Sequence, residues 1–388
     1  MKEFIPYGCQ DISDKDIEAV VKVLKSDFIT QGPCIEKFEQ EISNYVGSNY
    51  SVSFNSATSA LYSVCLAMGL GQGDFLWTTP ISFVASSNCA LYCGAEVDFV
   101  DIDPLTFNLC PDALEDKLKI ADESNCLPKI LVVVHMGGAS AEMSKLSLLA
   151  QRYGFKIIED ASHALGGEYH STKIGACQFS DACVFSFHPV KMITSGEGGI
   201  CTSNDAKLIE DLKLYRSHGI TKGTSKFVNE SDGAWYYEQQ LLGFNFRMTD
   251  IHAALGSSQL ERLDHFLKIR NAWAARYKEE LDRFGLRMQS ISNEAYSSYH
   301  LLLIQLKSQE QRDRVFSGMR ADDIGVNVHY IPIFLQPYYQ AMNRYTEKNF
   351  PNAMKYYKHC LSLPMHTKLD EKSFSRIIES LKKHLTEG

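Results

Sequence analysis

The chain has 388 residues, 45% hydrophobic and 22% charged, the balance of a folded protein long enough for two domains or one large domain with a smaller appendage. A net charge of −8 excludes nucleic-acid binding by bulk electrostatics. Eleven scattered cysteines without a CxxC pair argue against a secreted disulfide framework and against a zinc site, and fit free thiols in a reducing cytoplasm. The opening stretch "MKEFIPYGCQDISDKD" lacks the apolar segment of a signal peptide, and no apolar run approaches the roughly 20 residues of a membrane span. The expectation is a cytoplasmic protein with no metal, nucleic-acid or membrane partner.

In "SDKDIEAVVKVLKSD", Ile17, Val20, Val21 and Leu24 recur at helical spacing behind a Ser13 cap. "PCIEKFEQEISNYVG" is a second amphipathic helix, opened near Pro33 and closed near Gly47. "YSVSFNSATSALYSVCLAMGLGQGD" reads as strand, tight turn, helix; "FLWTTP" as a strand stopped by Pro80; "SFVASSNCALYCG" as helix; "AEVDFVDID" as strand. The β-branched run in "LPKILVVVHMGG" suits a parallel strand covered on both faces. "EMSKLSLLAQRYG" is helix, and "FKIIEDASHALG" is strand, then loop. "VFSFHPVKMITSGEGGI" opens as a strand carrying Ser186, then passes Lys191 into a stretch too rich in Gly, Ser and Thr for core. Beyond residue 248 comes a long helical stretch, broken or bent, then strands "YHLLLIQL" and "VNVHYIPI" and a terminal helix "EKSFSRIIESLKKHL". This order predicts an α/β fold: a mostly parallel central sheet with helices on both faces over 1–250, and a smaller α+β domain over 251–388.

Ligands on such sheets sit at the C-terminal strand ends, where Asn55 to Thr58, Thr79-Pro80, His135, Asp160 to His163 and Ser186 would emerge together. "FNSATSALYS" is either a helix N-terminus that cradles a phosphate or a plain Ser/Thr cap. Asp160, at the end of a buried strand, needs a positive or donating partner, within the protein or on a ligand. Lys191 alone is an ordinary loop lysine. With the anion cradle and the carboxylate it completes a set that pyridoxal phosphate requires: a phosphate seat, an aspartate for the pyridine nitrogen and an amine for the aldehyde.

The stretches "FITQGP", "FNSATSAL", "TTPISFVASSN", "EDASHALGGEYHSTKIG", "FSFHPVKMITSGEGG", "RSHGI", "GFNFRMTDIHAALGSSQL" and "VHYIPI" resemble the DegT/StrS-type sugar-nucleotide aminotransferases, fold-type-I pyridoxal-phosphate enzymes. The resemblance implies that Lys191 is the Schiff-base lysine, that Asp160 pairs with the pyridine nitrogen and that His163 lies close to the ring. It implies that Phe83, otherwise read as helix core, stacks on the ring, and that Ala57, Thr58 and Ser186 hold the phosphate. Asn245 would reach the neighbouring subunit's cofactor, making a homodimer with a shared active site. Tyr7, Gly32, Arg247 and His329 are implied as nucleotide-sugar contacts; structural roles stay open for Arg247 and His329.

"TTPISFVASSN" and "FSFHPVKMITSGEGG" most resemble the 4-aminotransferases of pseudaminic acid biosynthesis. These aminate a UDP-linked 4-keto-6-deoxy-N-acetylhexosamine to UDP-4-amino-4,6-dideoxy-N-acetyl-L-altrosamine with L-glutamate as donor. The chain departs from the family pattern at Ile331, where a basic residue usually follows the "VHY" motif. Other readings are amination at C3 or on another nucleotide, a sugar dehydratase of the same fold, whose lysine is typically histidine, and a non-catalytic binding protein.

Overall fold

The computed structural model describes residues 3–386. Helix α1 (Asp14–Leu24) starts at the expected cap, where the Asp16 carboxylate accepts from the Ser13 N–H at 2.8 Å and Ser13 Oγ accepts from the Asp16 N–H. Helix α2 (Pro33–Val46) opens on Pro33 and closes on Gly47 at φ 83°, the left-handed turn that favours glycine.

Strands and helices then alternate: β1 (Tyr50–Phe54), α3 (Ala57–Ala67), β2 (Phe75–Thr78), α4 (Ala85–Tyr92), β3 (Glu96–Phe99), α5 (Pro111–Glu123), β4 (Ile130–Val134), α6 (Met143–Tyr153) and β5 (Lys156–Asp160). A short hairpin, β6 (Glu168–Tyr169) and β7 (Thr172–Lys173), precedes β8 (Ala182–Ser186), β9 (Gly199–Ser203) and α7 (Ala206–Arg216). Seven of these strands form one sheet in the order β1-β9-β8-β5-β4-β2-β3. β9 is antiparallel to both its neighbours, and the remaining pairs are parallel. β4 is buried along its whole length, as its β-branched run requires.

β9 corrects the sequence reading. Residues 192–195, expected outside the core, are all buried, and β9 lies inside the sheet. The glycines there serve close packing. A Cβ at Gly199 would lie 2.4 Å from Ala57 N, and one at Gly198 would lie 2.5 Å from Met248 Cε. Gly199 therefore makes room for the start of α3, and Gly198 for Ser195 and Met248.

A second short hairpin, β10 (Ile220–Thr221) with β11 (Glu238–Gln239), precedes α8 (Asp250–Leu260) and α9 (Leu263–Arg283), so the long helical stretch is broken, between Leu260 and Leu263. Then follow β12 (Arg287–Met288), β13 (Ala295–Tyr296), β14 (Leu302–Gln305), α10 (Gln309–Ala321), α11 (Pro337–Gln340), α12 (Pro351–His359), β15 (Cys360–Leu363) and α13 (Glu371–Thr386). β12, β14 and β15 form a three-stranded antiparallel sheet over an apolar cluster that includes Tyr277, Leu302, Val315 and Ile377. The expected strand "VNVHYIPI" is irregular, tied to β15 through the bridge between Asn327 and Ser362. Pro332 cannot donate to a ladder, and Tyr330 lines a cavity at the strand ends instead.

The two parts are interlocked. Ile333, Phe334, Tyr339, Phe350 and Ala353 join the apolar cluster of the large sheet, and Arg344 pairs with Glu96 at 2.6 Å. The Asp250 carboxylate accepts from the Gly32 and Cys34 N–H groups at 2.8 and 2.9 Å, fastening α8 to the start of α2.

Candidate active site

A cavity of about 350 Å³ opens at the C-terminal ends of β1, β4, β5 and β8. One wall is the start of α3. Ser56 is the extended N-cap, and its hydroxyl accepts from the Ser59 N–H at 3.1 Å. The N–H groups of Ala57 and Thr58 have no acceptor among the described residues, and both residues line the cavity. These donors, the positive end of the helix and the Ser186 hydroxyl form an anion seat. Gly199 sets its position from behind. Gly199→Ala should cost about 1–3 kcal/mol, because backbone, not a flexible side chain, stands in the way. Urea unfolding and phosphate-dependent cofactor affinity should both register the change.

Asp160 ends β5 and is buried. Its Oδ2 accepts from Ser86 Oγ at 2.6 Å, and its Oδ1 from Ser162 Oγ at 2.6 Å. Ser86 is itself held by Ser82, Oγ to Oγ, at 2.7 Å. Fixed hydroxyl donors of this kind hold a carboxylate in one orientation.

Lys191 is half-buried at the cavity wall, and its Nζ forms no hydrogen bond or ion pair with a described residue. Burial lowers its pKa to about 8, although the Asp160 charge pulls the other way. A lowered pKa means a larger free-amine fraction at neutral pH. In the cofactor-free protein, capture of an aldehyde at Lys191 should therefore rise about tenfold per pH unit up to about 8 and level off above it, rather than near 10.5. Borohydride trapping followed by peptide mass analysis reads that profile.

His163 is buried, with Tyr330 and His300 against its ring. Its Nε2 lies 3.1 Å from the Tyr330 hydroxyl, its Nδ1 has no partner among the described residues, and its ring centre lies 4.5 Å from that of His300. Burial first, then the Lys191 charge, holds it well below the usual histidine range, so it is neutral at pH 7. Phe83 precedes α4 and is 59% exposed, with its ring 6.4 Å from that of Tyr330. It is therefore a cavity side chain and not helix core, which corrects the alternative reading.

Ala57, Thr58, Phe83, Asp160, His163, Ser186 and Lys191 thus line one cavity. Tyr7, Gly32, Asn245, Arg247 and His329 are not among its lining residues. The Gly32 N–H is already taken by Asp250. His329 is buried, with Nδ1 2.7 Å from Ser362 Oγ, and burial takes its pKa down to about 3. Arg247 is half-buried without an ion pair to a described residue, and Asn245 is exposed. Sequence reasoning missed Tyr330, adjacent to the chosen His329, and Ser86, whose i,i+4 spacing from Ser82 was the available signal. His135, expected at the same edge, faces Glu159 at 2.7 Å and accepts from the Ala141 N–H. Among the described residues no group of acidic, histidine or cysteine side chains could hold a metal ion, and no helix is long and apolar enough to cross a membrane.

Residues 10–382 match the model of the DegT/DnrJ/EryC1/StrS aminotransferase family. The chain is 34% identical over 384 residues to the spore coat polysaccharide biosynthesis protein SpsC of Bacillus subtilis, covering 98% of this chain and 96% of that protein. It is 37% identical over 380 residues to a Campylobacter jejuni UDP-4-amino-4,6-dideoxy-N-acetyl-beta-L-altrosamine transaminase, covering 97% and 96%. Among solved structures, Helicobacter pylori PseC, an aminotransferase involved in the biosynthesis of pseudoaminic acid, superposes with a TM-score of 0.88 at 31% identity over the full length of both chains. The sugar aminotransferase Spr1654 of Streptococcus pneumoniae, described as putative, matches in its PLP form with a TM-score of 0.88 at 27% identity over 98% of each chain. The chain belongs to the DegT/DnrJ/EryC1/StrS aminotransferase family, is a sugar aminotransferase, and uses pyridoxal 5'-phosphate as its cofactor.

Proposed function

We propose that the protein transfers the amino group of L-glutamate to carbon 4 of UDP-4-keto-6-deoxy-N-acetylhexosamine, giving UDP-4-amino-4,6-dideoxy-N-acetyl-L-altrosamine. The observation that carries the chemistry is an unpartnered, partly deprotonated Lys191 amine in one cavity with a buried Asp160 carboxylate and free helix N–H groups. The choice of sugar rests on the likeness to the Campylobacter jejuni transaminase along nearly the whole chain.

The cavity fits the cofactor. Ala57, Thr58 and Ser186 would hold its phosphate, Asp160 its ring nitrogen, and Phe83 and His163 the ring. When bound, the cofactor supplies an electron sink and carries the amino group between the two half-reactions. The chain's own work is proton transfer and orientation. Lys191 Nζ takes the α-proton of glutamate in the first half; in the second half, protonated Nζ delivers a proton to carbon 4 of the sugar. A pKa near 8 lets one amine act in both directions at neutral pH. Asp160, pinned by Ser86 and Ser162, holds its carboxyl group in one orientation at the site. Neutral His163, bonded to Tyr330, adds a polar contact without a competing positive charge.

Arg247, Tyr7 and His329 are proposed as contacts to the nucleotide-sugar. Ile331 is 46% exposed at the place of the family's usual basic residue. The large unit is taken as 1–250 and the small one as 251–388, and the reaction is placed in the cytoplasm, where glutamate and nucleotide-sugars are made.

Asn245 is exposed and outside its own chain's cavity, which supports a homodimer in which it completes the partner's site. Hybrid dimers test this. Lys191→Ala and Asn245→Asp chains, each inactive alone, should regain about a quarter of wild-type activity on mixing, because half the dimers carry one intact site of two. No recovery in verified hybrids would place both residues in one chain's site.

The substrate is tested with purified protein, cofactor, glutamate and a panel of UDP-, dTDP- and GDP-linked 4-keto and 3-keto sugars, with products read by mass spectrometry and NMR. Amination at carbon 4 of the UDP 4-keto N-acetyl sugar is expected. Preferred amination at carbon 3 or of another nucleotide would replace that assignment, and no amination of any member would overturn it.

A further inference from the structure

The segment between β13 and β14 brings a second histidine against the active site. His300 is buried, and its ring is inclined at 40° to that of His163, with centres 4.5 Å apart. Its Nδ1 has no partner among the described residues, and burial above all holds it well below the usual histidine range. A neutral ring with no bond at that nitrogen acts on its neighbour by shape. Two residues earlier, Ser298 Oγ donates to the His163 carbonyl at 2.7 Å, and the Ser298 N–H donates to Gly138 O at 3.0 Å. The space there is closed: a Cβ at Gly138, whose φ is 100°, would lie 2.1 Å from Ser298 Oγ and 2.9 Å from His163 O. Two features of this segment work against stability. Tyr299, between the two residues on His163, sits at φ 47°, a left-handed conformation that a bulky side chain rarely adopts. Arg270 of α9 is buried without an ion pair to a described residue, and its Nη1 donates to the carbonyls of Tyr299, His300 and Met365 at 3.1, 3.4 and 2.9 Å. A strained residue and a buried, unpaired charge persist where the surrounding structure holds them in place, and such strain gathers at functional sites. Here both fix the path that sets Ser298 and His300 on His163.

With His163 at the cofactor ring, as in the function proposed above, we propose that His300 and Ser298 are positioning residues for amino transfer. Ser298 anchors the backbone of His163, and the His300 ring sets the tilt of the His163 ring against the cofactor. Both act through His163 and touch neither substrate nor reacting atoms. Tyr330 holds only the Nε2 edge of His163, so a void in place of the His300 ring lets the imidazole turn about that bond. The cofactor ring would then be held less firmly while Lys191 moves the proton, and a small misplacement of reacting groups is enough to slow that step.

Visible circular dichroism of the bound cofactor reads ring orientation without turnover, and the half-reaction with glutamate alone reads the rate independently of the sugar. In the substrate-free holoenzyme, His300→Ala should weaken the cofactor's dichroic band. Its rate constant with saturating glutamate should fall roughly tenfold to a hundredfold, with the half-saturating glutamate concentration little changed. His300→Phe, which keeps a flat ring, should restore both. Adding His300→Ala to His163→Ala should change neither any further. Ser298→Ala should weaken the band in the same direction, and it decides the matter should His300→Ala fail to fold. A wild-type band and rate in His300→Ala, beside an altered band in His163→Ala, would overturn the positioning role and leave the proposed function standing. So would a loss from His300→Ala that is as large in the His163→Ala background as alone. An unchanged band in His163→Ala would remove His163 from the cofactor ring, and the positioning role with it.

Discussion

Lys191→Ala should abolish amino transfer, with a loss of about 10⁴-fold or more, since it removes both the covalent partner and the proton carrier. No second amine is placed to substitute. The other titratable side chains lining the cavity are Asp160, His163, His188, Glu197 and Tyr330. His163 is too weak a base and Tyr330 too weak an acid for the same duty: burial lowers the first and raises the second. The variant should also fail to retain cofactor mass after borohydride reduction, while the wild type carries it on the peptide containing Lys191. Lys191→Arg should behave like the alanine variant, because a guanidinium keeps the charge but cannot release its proton near neutrality. Small primary amines added to Lys191→Ala should restore part of the proton transfer and none of the covalent attachment. Wild-type turnover in Lys191→Ala would overturn the assignment of the lysine.

Much of this architecture could be read from residue order. Alternating β-branched runs and amphipathic helices specify a parallel sheet, and the strand ends then gather Ala57, Asp160, Ser186 and Lys191 on one edge without any coordinates. Capping residues marked helix ends well, as at Ser13, Pro33 and Gly47. What escaped were features decided by packing at long range. β9 opens on a glycine because α3 starts against it, a contact between Gly199 and Ala57 that no local pattern encodes. "VNVHYIPI" has a strand's composition, but a single bridge to Ser362 and the pull of Tyr330 toward His163 leave it irregular. The choice of His329 over Tyr330 failed for a related reason. Which of two adjacent side chains enters the cavity depends on a segment path fixed by the bridge to β15, and His329 spends its Nδ1 on Ser362. Ser86 was hidden because serines at helical spacing usually signal solvent or a cap, whereas here they support a buried carboxylate.

Asp160→Asn should reduce turnover roughly 10²–10³-fold, the scale of removing one preorganised electrostatic partner from a water-poor site. The amide keeps the shape of the carboxylate but carries no charge to hold a proton on the cofactor ring. Ser86 and Ser162 both donate to the native side chain, so the variant also leaves one hydroxyl facing an amide donor. Covalent capture at Lys191 should persist in Asp160→Asn, which separates loss of the electron sink from loss of attachment. Ser86→Ala grades the effect. It removes one hydrogen bond to a charged oxygen, worth about 1.5–3 kcal/mol, so turnover should fall by roughly tenfold to a hundredfold if that bond orients the carboxylate. Pre-steady-state absorbance with glutamate alone isolates the first half-reaction, where the whole deficit of both variants should lie in the proton-transfer step rather than in glutamate binding. A wild-type rate in Asp160→Asn would mean that the buried carboxylate serves only the packing of α4 against β5.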